Sequence, residues 1–63
     1  MDIGNRLRNE RKERRLSATA ISNLLNISCT TLFSRERGAT EFRVSELIRV
    51  CEIMGWDKKA ILL

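Results

Sequence analysis

SATAISNLLNISCTTLFSRERG, Ser17 to Gly38, is the stretch whose reading decides the fold. Two of its serines stand where helix N-caps belong, Ser17 before ATAISNLL and Ser28 before CTTLFSRER. A serine hydroxyl in that place accepts from an otherwise unpaired first-turn amide. Ile21, Leu24 and Leu25 lay an apolar edge along the first of these helices, and Leu32 faces inward from the second. Asn26 suits the left-handed turn that ends a helix, and Ile27 is an apolar plug behind it. The second helix is expected from Cys29 to Arg37, with Gly38 ending it. A link as short as Asn26-Ile27-Ser28 makes two helices cross steeply, so that the second projects from the body.

Outward from this unit the same helical spacing continues. Upstream, Ile3 and Leu7 form the buried stripe of a first helix within IGNRLRNERKERR. The alternation of Glu10 and Glu13 with Arg11, Lys12, Arg14 and Arg15 reads as a solvated helix surface. Downstream, ATEFR is a connecting loop. Val44, Leu47, Ile48, Cys51 and Met54 then mark the core-facing stripe of a fourth helix, closed by Gly55. Asp57 can cap a short fifth helix that holds Ala60, Ile61 and Leu62. The expected fold is all-α, five short helices in one domain spanning residues 1–63.

Composition excludes several classes of function. There is no histidine, which removes the commonest general base, and neither a glycine-rich phosphate loop nor a spaced carboxylate pair is present. An enzyme is therefore not expected. Cys29 and Cys51 are too few for a disulfide framework and match no metal-ligand spacing, so neither cofactor nor metal is expected. No signal peptide precedes the charged first helix, and no apolar run approaches the ~18 residues of a membrane span. A cytoplasmic protein with reduced thiols follows as the expectation. Twelve Lys and Arg against eight Asp and Glu give a net charge of +4, and nine of the twelve are arginine. That balance admits nucleic acid as a partner, because the planar guanidinium suits phosphate and base edges.

With these pieces in order, the chain resembles the lambda-repressor/Cro-like, or Xre, family of helix-turn-helix DNA-binding domains. The resemblance runs without gaps from Ile3 to about Leu62. It rests on IGNRLRNERKERRLS, on Ile21-x-x-x-Leu25-Asn26-Ile27-Ser28, on Glu36-Arg37-Gly38, and on Met54-Gly55 before Asp57. It implies that the helices on either side of Asn26 form the helix-turn-helix, the second entering the major groove while the first crosses the sugar-phosphate backbone. It also implies a regulator, Cro-like and of phage or mobile-element type, that represses by occluding a promoter. Such a protein works at the nucleoid of a bacterial or phage-infected cell, as a homodimer on a palindromic operator, with no small-molecule ligand and no membrane.

The family pattern assigns roles to individual residues. Cys29, Thr30, Phe33 and Ser34 match the positions that look into the groove. Thr30 and Ser34 can hydrogen-bond to several base edges, and so discriminate weakly. Phe33 has two open readings, meeting thymine methyl groups or packing inward beside Leu32. Cys29 is a small filler, or a thiol acidified by the helix dipole. Ser17, Arg35, Arg37 and Arg43 are the expected phosphate contacts. Arg11 and Glu36 match two positions that pair between the first and third helices, so Arg11 would hold the groove-entering helix through Glu36. Trp56, Ile61, Leu62 and Leu63, with Val50 and Ile53 off the main stripe, are either a wide core or the dimer surface of a twofold complex on DNA. The chain departs from the family at Arg15 and Asn26, where glycine is frequent, at Ala18, where glutamine touches phosphate, at Arg35, where an apolar residue is usual, and at Glu41 and Phe42, in a loop that is often basic. The competing expectation is a protein-interaction module, such as half of an antitoxin or a polymerase-contacting adaptor. The small, uncharged face Cys29-Thr30-Thr31 is what favours it.

Overall fold

Polar residues open the helices in the computed structural model of the chain, which describes residues 2–62. Asp2 Oδ1 accepts from the Asn5 amide at 3.0 Å and caps α1 (Ile3–Glu13). Ser17 Oγ accepts from the Ala20 amide at 3.0 Å ahead of α2 (Ala18–Leu25). Ser28 Oγ accepts from the Thr31 amide at 3.1 Å ahead of α3 (Cys29–Glu36), one residue shorter than expected. At α4 (Val44–Met54) the acceptor lies inside the helix, where the Glu46 carboxylate reaches back to the Arg43 amide at 3.1 Å. Asp57 Oδ1 accepts from the Lys59 amide at 3.0 Å at the start of α5 (Lys58–Leu62). The described residues contain no strand, and none of their helices is long and apolar enough to cross a membrane.

The first four helices end in one way. An amide two or three residues past the helix end bonds a carbonyl five residues back: Leu16 to Arg11, Ile27 to Ser22, Ala39 to Ser34 and Trp56 to Cys51, at 2.9–3.0 Å. The residue before each of these amides has a positive φ: Arg15 at 55°, Asn26 at 57°, Gly38 at 78° and Gly55 at 74°. Three of these turns deliver the next side chain inward, so that Leu16, Ile27 and Trp56 pack on the core, whereas Ala39 after Gly38 stays exposed. Arg15 is the one position of the four held by a residue poorly suited to left-handed backbone.

The core comprises Leu7 of α1, Ile21 and Leu25 of α2, Leu32 of α3, Val50, Cys51 and Met54 of α4, and Trp56. Two expected stripes are corrected. Arg49 Nε bonds the Leu24 carbonyl at 3.2 Å, so the α2–α4 contact reaches the Leu24 backbone but leaves its side chain 48% exposed. Val44 is 66% exposed, while Val50 is buried. Because α4 packs against both α2 and α5, its buried arc is turned toward Val50, Cys51 and Met54, and Leu47 and Ile48 are half-buried beside it.

Of the two readings open for Trp56, the structure agrees with the core. Trp56 is buried in its own chain at 8% exposure, with Arg6 stacked 4.0 Å over the ring and Nε1–H donating to Glu10 at 3.0 Å. It is therefore part of the domain core and presents no free face for a dimer. Ile61 and Ile53 also pack on this core, Leu62 is 37% exposed, and Leu63 lies outside the described residues.

Gly4 sets how closely α1 approaches α3. A Cβ there would fall inside van der Waals distance of the Arg35 carbonyl oxygen and 2.7 Å from that of Glu36. Both obstacles are backbone at the end of a helix, so the helices themselves must separate to admit a side chain. Gly4→Ala is expected to destabilise the domain by about 1–3 kcal/mol, as overpacking does. An unchanged urea midpoint would mean that α1 can back away from α3 freely.

Candidate nucleic-acid interface

The outer surface of α3 follows from which of its residues the core takes. Leu32 and Glu36, four apart, are buried. Thr30, Phe33 and Arg37 are therefore turned to solvent, and Cys29 and Ser34 sit half-buried at the flanks. Phe33 is 45% exposed, which favours the outward of its two readings. Of the four residues expected to face a groove, Thr30 and Phe33 stand clear. Ser34 Oγ accepts from Thr40 Oγ1 at 3.1 Å, and Cys29 Sγ lies 3.4 Å from Ser22 Oγ and 3.8 Å from Thr19 Oγ1. Those hydroxyls lower the Cys29 pKa, Ser22 most, against a smaller opposing effect of burial.

Two bidentate ion pairs clamp the C-terminal end of α3. Arg11 Nε and Nη2 reach the two Glu36 carboxylate oxygens at 2.8 and 3.2 Å, and Arg11 Nη1 donates to the Leu16 carbonyl at 3.2 Å. Their side chains are 10% and 3% exposed, so the α1–α3 pairing expected of these residues is a buried one. On the other side Arg35 Nε and Nη2 reach Glu46 at 2.8 and 3.3 Å, and Arg35 Nη1 donates to Thr40 Oγ1 at 2.8 Å. This corrects the expectation of Arg35 as a phosphate contact. All its donor nitrogens are engaged and its side chain is 11% exposed, so it braces α3 against α4. Glu46 completes that brace, and sequence reasoning missed it. The signal was its place three residues after the helix-preceding Arg43, where a carboxylate can return to the N-cap amide.

Arg37 and Arg43 have exposed side chains, and neither enters an ion pair among the described residues. Ser17, exposed at the N-terminus of α2, accepts an amide through Oγ and keeps its hydroxyl proton for an external acceptor. Beside Phe33 a cleft of about 310 Å³ opens between α1 and α3, lined by Arg8, Arg11, Lys12, Phe33, Glu36 and Arg37. Lys12 belongs to the stretch expected as a solvated helix surface, and Arg8 carried no expectation of its own. Only the approach of α1 to α3 sets them opposite Arg37.

No known protein family, curated protein or solved structure matches this chain.

Loss of one Arg11–Glu36 partner strands a buried charge, so Arg11→Ala is expected to cost about 3–5 kcal/mol. Equal urea melts for variant and wild type would refute the anchoring role of Arg11. A pH dependence follows from two other carboxylates. Glu10 is held below its ordinary pKa, chiefly by the Trp56 indole N–H, and Glu46 chiefly by the Arg35 guanidinium. A depressed folded-state pKa stabilises the fold above the unfolded value, about 4.3, and that contribution is lost as pH falls through the folded one. Stability should therefore hold from neutrality down to the ordinary carboxylate range and fall below it. Trp56 fluorescence should change in the same acid window, and Glu10→Gln should remove that fluorescence step.

Proposed function

We propose that this chain is a lambda-repressor/Cro-like helix-turn-helix domain, with α2 and α3 as the two helices, that binds double-stranded DNA sequence-specifically and regulates transcription. The observation that carries the reading is α3 itself. It is a short helix clamped at its C-terminal end, with Thr30, Phe33 and Arg37 outward and a left-handed turn at Asn26 that angles it away from α2. In this reading α3 enters the major groove. Thr30 and Ser34 reach base edges, Phe33 meets thymine methyl groups, and Cys29 fills space at the helix start. Ser17, Arg37 and Arg43 hold phosphates. Short hydroxyl side chains discriminate less than bidentate arginines or amides, so affinity is modest and DNA shape supplies part of the specificity. The protein acts as a Cro-like repressor of phage or mobile-element type, in the cytoplasm and without a cofactor. It assembles as a dimer on a palindrome through Leu62 and the exposed edge of Ile61, since Trp56 is occupied within the monomer.

A specific observation favours one other reading. Leu24 and Val44 present exposed apolar side chains, as an adaptor that docks on another protein would.

Selection of bound duplexes from a random library separates the two readings. DNA binding predicts enrichment of a palindrome with half-site centres about 10–10.5 bp apart. It also predicts an affinity that falls linearly with salt on logarithmic axes, with Arg37→Ala lowering the slope by about 1. Failure to enrich any sequence at low salt would overturn the proposal in favour of the interaction module.

A further inference from the structure

The cations of α1, α3 and the turns that end them divide into two sets. Arg6 and Arg14 share Glu10, Arg11 holds Glu36, and Arg35 holds Glu46. Arg8, Lys12, Arg15 and Arg37 enter no ion pair among the described residues, and three of these four line one cleft, between α1 and α3. At the cleft floor Glu36 is the lone carboxylate, and both its oxygens are taken by Arg11. Four cations against one carboxylate leave the lining strongly positive. Arg8 and Lys12 stand four residues apart on one face of α1, a like-charge spacing that weakens a helix unless an anion lies between the charges. Phe33 belongs both to this cleft and to the outer face of α3, so an occupant of the cleft is continuous with whatever α3 contacts. The cleft, of about 310 Å³ and open to solvent on its outer side, can admit a backbone phosphate.

We infer that this cleft is a phosphodiester-binding site, in which Arg8 and Lys12 from α1 and Arg37 at the C-cap of α3 close on the backbone of the strand beside the α3 groove. The inference rests on the DNA-binding reading and adds α1 to the contact surface. The α1 charges would supply affinity without sequence information, because phosphate contacts position and base contacts specify.

The test compares wild type, Arg8→Ala/Lys12→Ala and Lys58→Ala/Lys59→Ala on the selected duplex across a salt series. The last pair removes the same charge from α5, remote from the cleft. Thermal melts accompany all three proteins, and the exposure of Arg8 and Lys12 predicts an unchanged fold. The expected result is a loss of about tenfold in affinity per α1 substitution near 0.1 M salt, with the slope falling by about 0.9 for each. The selected sequence should stay the same, and the α5 variant should change far less. Undiminished binding and slope in a folded Arg8→Ala/Lys12→Ala variant would overturn the inference while wild-type binding left the DNA reading intact. Equal losses from the α5 variant would reduce the effect to net charge and also overturn it. A wild type that binds no duplex would sink the DNA reading first. Titration with 2′-deoxyadenosine monophosphate, followed through the Phe33 and Arg37 amide resonances, tests the other source of the same chemistry. Saturation at sub-millimolar concentration would assign the cleft to a free nucleotide and overturn the strand assignment.

Discussion

The Arg11–Glu36 ion pair is the constraint on which the placement of α3 depends. An eight-residue helix has too few internal hydrogen bonds to persist alone, since isolated helices shorter than about 12–15 residues are marginal in water. Its orientation must come from what grips it. Leu32 supplies non-directional burial and would tolerate some rotation about the helix axis. A bidentate guanidinium–carboxylate pair tolerates little, because two parallel hydrogen bonds set both distance and plane. The net stabilisation from such a buried pair is small once desolvation is counted, whereas the geometry it imposes is specific. Gly4 makes the pair reachable by letting α1 lie directly against the last carbonyls of α3.

The second grip, Arg35 on Glu46, works from the opposite side and has a consequence for charge. Each of the two pairs withdraws one cation from the surface and one carboxylate from the neighbourhood of α3. The remaining surface near α3 carries Arg8, Lys12, Arg37 and Arg43, with Asp2 and Glu41 as exposed acids nearby. A domain of net charge +4 thereby concentrates positive potential beside one helix. Structural pairing and functional charge are thus two outcomes of one arrangement.

On another face of α1 a different network plays the supporting part. Glu10 accepts from Arg6, Arg14 and the Trp56 indole, and Arg14 extends to the Met54 carbonyl at 3.0 Å, the open end of α4. Trp56 reaches this position because Gly55 turns the chain left-handed immediately before it. α1 is in consequence held to α3 along one face, through Gly4 and Arg11, and to Trp56 and the end of α4 along another, through Arg6, Glu10 and Arg14.

Much of this was legible in the sequence. Caps and stops are local: a hydroxyl or carboxylate bonds an amide two or three residues on, and a left-handed turn needs only one permissive residue, so Ser17, Asn26, Ser28, Gly38 and Gly55 announced the helices by themselves. The Arg11–Glu36 pairing came from the family resemblance, since nothing local relates residues 25 apart. What only the tertiary structure decided was the use of side chains whose partners are distant in sequence. Arg35 left the candidate phosphate contacts because Glu46 stands on the next helix, and Trp56 left the candidate dimer surface because Arg6 and Glu10 stand on the first. Val50 displaced Val44 from the core because α4 is covered from two sides, and Arg8 and Lys12 became a wall of a cleft because Gly4 lets two helices touch. A sequence records the chemistry each residue offers. Which of those offers is taken up, and which stays exposed, depends on distances that exist only after the helices have packed.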